Sequence, residues 1–244
     1  ENREIALALG NLYLQGDMLA RARDVAERLV ALDPENAAVR LLQGSVCRRY
    51  WLTEADDESR NKAIVYFARA TRLAPDDHKC WAALVPLLVD ADELDQAKLA
   101  AALALRHAPA PARPEAMLLV AGTAQRTGDI ATADKLFRAA IPRLPARLRD
   151  RFEDLAPLLP PWNVERYLGM DAPARERFEE RFWLTSDPDP VSVENEARLE
   201  FWARVTQATL LYGTSRPGEW DMRAQYYVRF GRPAWAELNP VGRG

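Results

Sequence analysis

Small apolar residues recur along the first 145 positions at intervals that fit helices. Ala22 to Pro34, Ala63 to Pro75, Ala97 to Pro109 and Ala133 to Pro145 are each separated by 12 residues. Four residues after each Ala stand Ala26, Phe67, Ala101 and Phe137, and seven after it Leu29, Ala70, Ala104 and Ala140. Positions i, i+4 and i+7 share one face of an α-helix, so four helices, each ended by Pro, are predicted. An earlier helical stretch precedes each of them, and the turn between reads Gln15-Gly16-Asp17 in the first unit and Thr127-Gly128-Asp129 in the last. Glycine there supplies a positive φ that stops one helix, and Asp caps the next.

The prolines are spaced by 41, 34 and 36 residues, a period of 34 with insertions of about 7 and 2. With Leu9-Gly10 and Tyr13, Trp81 and Leu84, and the Ala/Phe/Ala/Pro ladder, residues 3 to about 145 resemble the tetratricopeptide repeat (TPR). Two positions depart from it: Val85 stands where a small Gly is usual, and Pro86 is expected to kink or shorten its helix. The segment from Tyr50 to Arg60 is expected to lengthen a turn as a solvated excursion.

After Pro145 the ladder stops and five of the seven Trp fall in the last 99 residues, so a bulkier core is expected, with the join near Ala146 to Asp150. Arg175 to Trp183 reads as a helix capped by Asp171, and a longer one runs from about Val193 to Tyr212. In Tyr226 to Phe230 alternate residues Tyr226, Val228 and Phe230 share a face, which predicts a strand closed by Gly231. Its partner would lie in a hairpin arm within Gly213 to Asp221 or beyond Gly244.

Arg181-Phe182-Trp183, Asp187-Pro188-Asp189-Pro190, Glu194-Asn195-Glu196 with Arg198 and Phe201, Gly218 to Arg223, and Tyr227 to Pro233 together resemble the bacterial GWxTD domain over about residues 150 to 236. Trp220 stands one place late, and Met222 replaces an expected Asp. The resemblance implies no catalytic activity; it favours the bacterial envelope or periplasm over the cytoplasm. The fold expected is therefore mainly all-α: a TPR-like α-solenoid of about four helix pairs over 1–145, then a helical GWxTD-like domain over 146–244 that ends in a short β-strand or hairpin and continues past Gly244.

Composition removes several function classes. The 33 Lys and Arg are nearly matched by 36 Asp and Glu, a net charge of −3, so no chain-wide attraction to nucleic acid is expected. No apolar run approaches the roughly 18 residues that span a bilayer. The two His, His78 and His107, match no known catalytic spacing, and no Gly-rich phosphate loop or Cys/His ligand cluster occurs, so no metal or other cofactor is expected. The two Cys, Cys47 and Cys80, lie about eight residues out of step in neighbouring helices, about 12 Å at helical rise, and are expected as free thiols. Acid pairs remain the one enzymatic option: Glu179 with Glu180, Asp187 with Asp189, and Glu194 with Glu196.

A helical repeat offers an extended concave face to peptides or helices of a partner. The register places Asn11, Leu14 and Gln15, then Ser45, Arg48 and Arg49, then Lys79 and Val89, then Leu118, Gln125 and Arg126 on it. Of these, Asn11, Gln15, Arg48, Arg49, Lys79, Gln125 and Arg126 are the candidate partner-binding residues, suited to an acidic or carboxylate-ended peptide. Asn11 and Lys79 resemble part of the carboxylate clamp of some TPR proteins, with Ala83 where a second basic residue would stand. The expected function is a noncatalytic scaffold or adaptor within a multiprotein assembly. The alternative is an envelope enzyme or accessory subunit using the acids of the C-terminal domain.

Overall fold

A computed structural model describes residues 2–213 and 221–233 of the chain. The described residues form thirteen α-helices joined by short turns and three 3-10 segments, and contain no strand, so the fold is all-α. Backbone contacts divide the chain into two compact units, one running up to Ala108 and the other Pro109–Arg232.

The first unit holds α1 (Asn2–Gln15), α2 (Leu19–Leu32), α3 (Ala37–Glu54), α4 (Asp57–Leu73), α5 (His78–Asp90) and α6 (Leu94–His107). They pack as three pairs, α1 on α2, α3 on α4 and α5 on α6; α3 also touches both α1 and α5. The repeated alanines explain the close pairing. Ala22, Ala63 and Ala97 are fully buried, and Phe67 lies against Gly44, where an added Cβ would meet its ring at 2.5 Å. Asn36, Asp56 and Asp77 cap α3, α4 and α5 through bonds to the backbone N–H groups that follow them.

Three details differ from the sequence reading. In the first turn the positive φ belongs to Asp17, at 60°, which leaves no side-chain cap on α2; only Gly128 and Asp129 divide the labour as expected, with Gly128 at φ 80° and Asp129 accepting from Thr132 N–H. The insertion around Tyr50 to Arg60 does not make a loop. It lengthens α3 to 18 residues and α4 to 17, because Ala55 takes a left-handed φ of 51° and Asp56 restarts the helix at once. Helix α5 continues through the buried Pro86 to Asp90.

The second unit contains α7 (Arg113–Arg126), α8 (Ile130–Ala140), α9 (Ala146–Glu153), α10 (Pro161–Leu168), α11 (Ala172–Ser186), α12 (Glu196–Tyr212) and α13 (Met222–Phe230). Helix α12 is its centre: it packs on α7, α8, α9, α11 and α13. Phe137 of the fourth ladder helix, fully buried, meets Trp202 of α12 with ring centroids 5.6 Å apart, and the Trp202 indole N–H bonds the Phe152 carbonyl at 3.2 Å. The fourth pair thus shares a core with the aromatic helices, and the units divide at Ala108–Pro109, ahead of the change in composition at Pro145. The expected helices after Asp171 and before Tyr212 are present, capped by Asp171 and Asn195.

The strand expected at Tyr226 to Phe230 is instead the second half of α13. Ala224, Tyr227 and Val228 face inward at helical spacing, Asp221 caps the N-terminus, and Arg204 of α12 donates to the Arg229 carbonyl at the other end. A five-residue alternation fits half of a helix face as well as a strand, and packing on α12 selects the helix. The hairpin arm expected within Gly213 to Asp221, and Gly218 to Trp220 of the GWxTD-like motif, lie outside the described residues.

Candidate functional site

The seven candidate binding residues fall in both units, and their surroundings differ. In the first unit Asn11 and Gln15 are exposed on α1; the Asn11 amide donates to the Leu7 carbonyl one turn earlier. Lys79 is exposed in the first turn of α5. Arg48 and Arg49, late in α3, are half-buried. Burial and the adjacent Arg49 charge lower the Arg48 guanidinium from its usual value. Arg49 reaches back to Asp17 in the turn after α1, Nε to Oδ1 at 3.0 Å, an ion pair that tethers that turn. Since α1, α3 and α5 touch in succession, these five residues belong to a continuous row of first helices.

In the second unit Arg126 is exposed at the end of α7, but Gln125 is half-buried and donates to the Glu200 carboxylate of α12. Glu200 in turn holds Arg204 at 2.7 Å, an ion pair at i,i+4 spacing along α12. Gln125 thus bridges α7 and α12.

The structure also forms a cleft that the sequence did not disclose, with a cavity of about 660 Å³ between α9 and α11. Arg147, Asp150, Arg151 and Asp154 line one wall at i, i+3, i+4 and i+7, one helical face; Arg175, Glu176 and Glu179 line the other. The buried Tyr167 forms part of the lining. Its hydroxyl donates to Glu179 Oε1 at 2.8 Å and accepts from the Leu155 N–H at 3.4 Å. Arg175 lies 5.2 Å above the Tyr167 ring and donates to the Leu168 carbonyl at 3.1 Å.

Burial raises the Asp154 carboxyl above its ordinary range, against an opposing bond from Ala156 N–H and the Arg175 charge. Burial and the bond to Glu179 raise the Tyr167 phenol, so it stays protonated at neutral pH. Arg151 is lowered by burial and by the like charge of Arg147. Among the described residues that line the cleft none is Ser, Thr, Cys, His or Lys, and those present offer carboxylates, one phenol and guanidinium groups. Of the acid pairs considered from sequence, only Glu179 enters it. The i, i+3, i+4, i+7 run of charges on α9 was a usable signal, but it fell where the sequence suggested only a join.

Cys47 and Cys80 are free thiols, and burial raises both, Cys80 to about 11. Among the described residues, no group of three or more His, Cys, Asp or Glu could hold a metal ion. No described helix is long and apolar enough to cross a membrane. No protein-family model matches the chain, and no curated protein matches it.

Proposed function

We propose that the chain is a noncatalytic interaction scaffold: its first three helix pairs form a TPR-like solenoid whose first-helix row binds a peptide or helix of a protein partner. The single observation that carries this reading is the row itself. Helices α1, α3 and α5 lie in succession, with Asn11, Gln15 and Lys79 exposed and Arg48 and Arg49 half-buried among them. Amide donors and cations in such a row suit an acidic or carboxylate-ended segment, because charge-assisted hydrogen bonds are the stronger class. The C-terminal unit, with its GWxTD-like pieces, would dock the scaffold into a larger assembly at the bacterial envelope.

The test is affinity capture from the native cell followed by mass spectrometry, comparing the wild type with Lys79→Glu. Lys79 is exposed in the first turn of a helix, where a carboxylate is favourable, so the substitution leaves Tm unchanged while capture of the partner falls at least tenfold. Unchanged capture removes the row from consideration.

The cleft supports a second reading, in which the C-terminal unit handles a small ligand with its acids. Its supporting observation is the raised Asp154 carboxyl in the same cavity as the Tyr167–Glu179 bond.

A further inference from the structure

The cleft between α9 and α11 is acidic, and two of its carboxylates are only half engaged by the protein. Five carboxylates, Glu153 among them, stand on its walls against three guanidinium groups. Asp154, half-buried, accepts from the Ala156 N–H at Oδ1, 2.9 Å, and Glu179, also half-buried, accepts from the Tyr167 hydroxyl at Oε1, 2.8 Å. Asp154 Oδ2 and Glu179 Oε2 have no donor among the described residues, and neither carboxylate makes an ion pair there. Arg175 does not serve them, because it is held over the Tyr167 ring at 5.2 Å and donates to the Leu168 carbonyl at 3.1 Å. The raised Asp154 carboxyl has the same cause, desolvation that the Arg175 charge offsets only in part.

A carboxylate withdrawn from water is stabilised by a charged donor, which points to a cationic ligand. The free oxygens select the kind of cation. A guanidinium donates through a planar fork that engages both oxygens of one carboxylate, whereas each carboxylate here offers one. An ammonium has three separately directed donors and takes single oxygens from different groups. Leu168, Met170 and Ala172 line the same cavity, and Leu168 is 57% exposed, so an aliphatic chain finds apolar surface beside the acids. The cavity of about 660 Å³ is within the roughly 300–1,000 Å³ of small-molecule sites.

We propose that the cleft binds a small aliphatic primary amine, its ammonium at Asp154 and Glu179 and its carbon chain along Leu168, Met170 and Ala172. This rests on the reading of the cleft as a small-ligand site and adds the chemistry of the ligand. Isothermal titration calorimetry of the full chain at pH 7 tests it with probes of one chain length: pentylammonium, pentylguanidinium, pentanoate and pentanol. Pentylammonium should bind saturably, and the other three at least about tenfold more weakly. Nα-acetyl-lysine methylamide carries the same ammonium on a polypeptide unit and should also bind more weakly; equal affinity would assign the site to a protein lysine and overturn the free amine.

Glu179→Gln keeps an acceptor for the Tyr167 hydroxyl, and Asp154→Asn keeps one for the Ala156 N–H. Each should therefore lower pentylammonium affinity about tenfold in a folded protein, while Glu180→Gln, exposed and outside the cleft lining, leaves it unchanged. Binding that survives both cleft substitutions, or pentylguanidinium binding as tight as pentylammonium, would overturn the proposal. Pentanoate or pentanol binding in place of the amine overturns it too but leaves a small-ligand cleft standing; no binding by any probe removes both.

Discussion

Arg60 and Asp90 meet as a 3.0 Å ion pair with only 16% and 10% of their side chains exposed. Asp90 is the last residue of α5, where the helix dipole disfavours a carboxylate, and Arg60 of α4 supplies the compensating charge. Arg60 also reaches Asp57 at 3.4 Å and lies 6.0 Å over the Trp51 ring. The lengthened second pair therefore has a structural use, since its added turns carry the cation that reaches the third pair. Removing Arg60 leaves a largely buried carboxylate without that cation, a change that costs about 3 kcal/mol. Urea denaturation of Arg60→Ala should show that loss, and Arg60→Ala with Asp90→Ala should recover part of it; equal midpoints for wild type and Arg60→Ala would contradict the assignment.

Two helix glycines should answer oppositely to the same substitution. A Cβ on Gly44 meets the Phe67 ring at 2.5 Å, inside a contact that cannot open without moving α4, so Gly44→Ala should destabilise by about 1–3 kcal/mol. At Gly122 the nearest atoms belong to Thr206 at 3.8 Å, so Gly122→Ala should gain up to about 1 kcal/mol from helix propensity. Thermal melts of the two variants, read side by side, separate the effects.

Phe137 ties the last ladder helix to the aromatic core through Trp202. Phe137→Ala opens a cavity in a fully buried site and should cost about 3–5 kcal/mol. Because α7, α8 and α12 share that core, the quenching environment of Trp202 should change together with the loss of stability. A melt that shifts while the tryptophan emission of the folded state stays identical would argue against direct contact.

Asp154 makes stability depend on pH in a defined direction. Its carboxyl is raised in the folded state, so the fold binds that proton more tightly than the unfolded chain does. The stabilisation is present below the unfolded value of about 3.9 and is lost as pH rises through the folded value. Asp154→Asn keeps an acceptor for Ala156 N–H without the buried charge. It should therefore raise Tm at pH 7, with the difference shrinking toward pH 3. A variant less stable than wild type at pH 7 would show that the Asp154 charge is stabilising where it stands.

The local sequence settled the helices of the ladder, because Ala22, Ala63, Ala97 and Ala133 repeat one close contact and all four are fully buried. It also located the cap at Asp171. Those features depend on interactions within a few residues, which spacing alone can encode. The fate of Tyr226 to Phe230 does not: the side turned inward depends on α12, which packs Tyr227 and Val228 away and supplies Arg204 to the helix end. The partner of Gln125 is likewise supplied by tertiary packing, since only α12 brings Glu200 to it. The cleft joins Asp154 to Tyr167 and Glu179 through chain reversals, and polar residues brought together in that way leave no period along the sequence. Helix identity was therefore a property of the sequence, whereas the meeting of charged side chains from different helices was decided by tertiary packing, since only packing sets which faces lose their water.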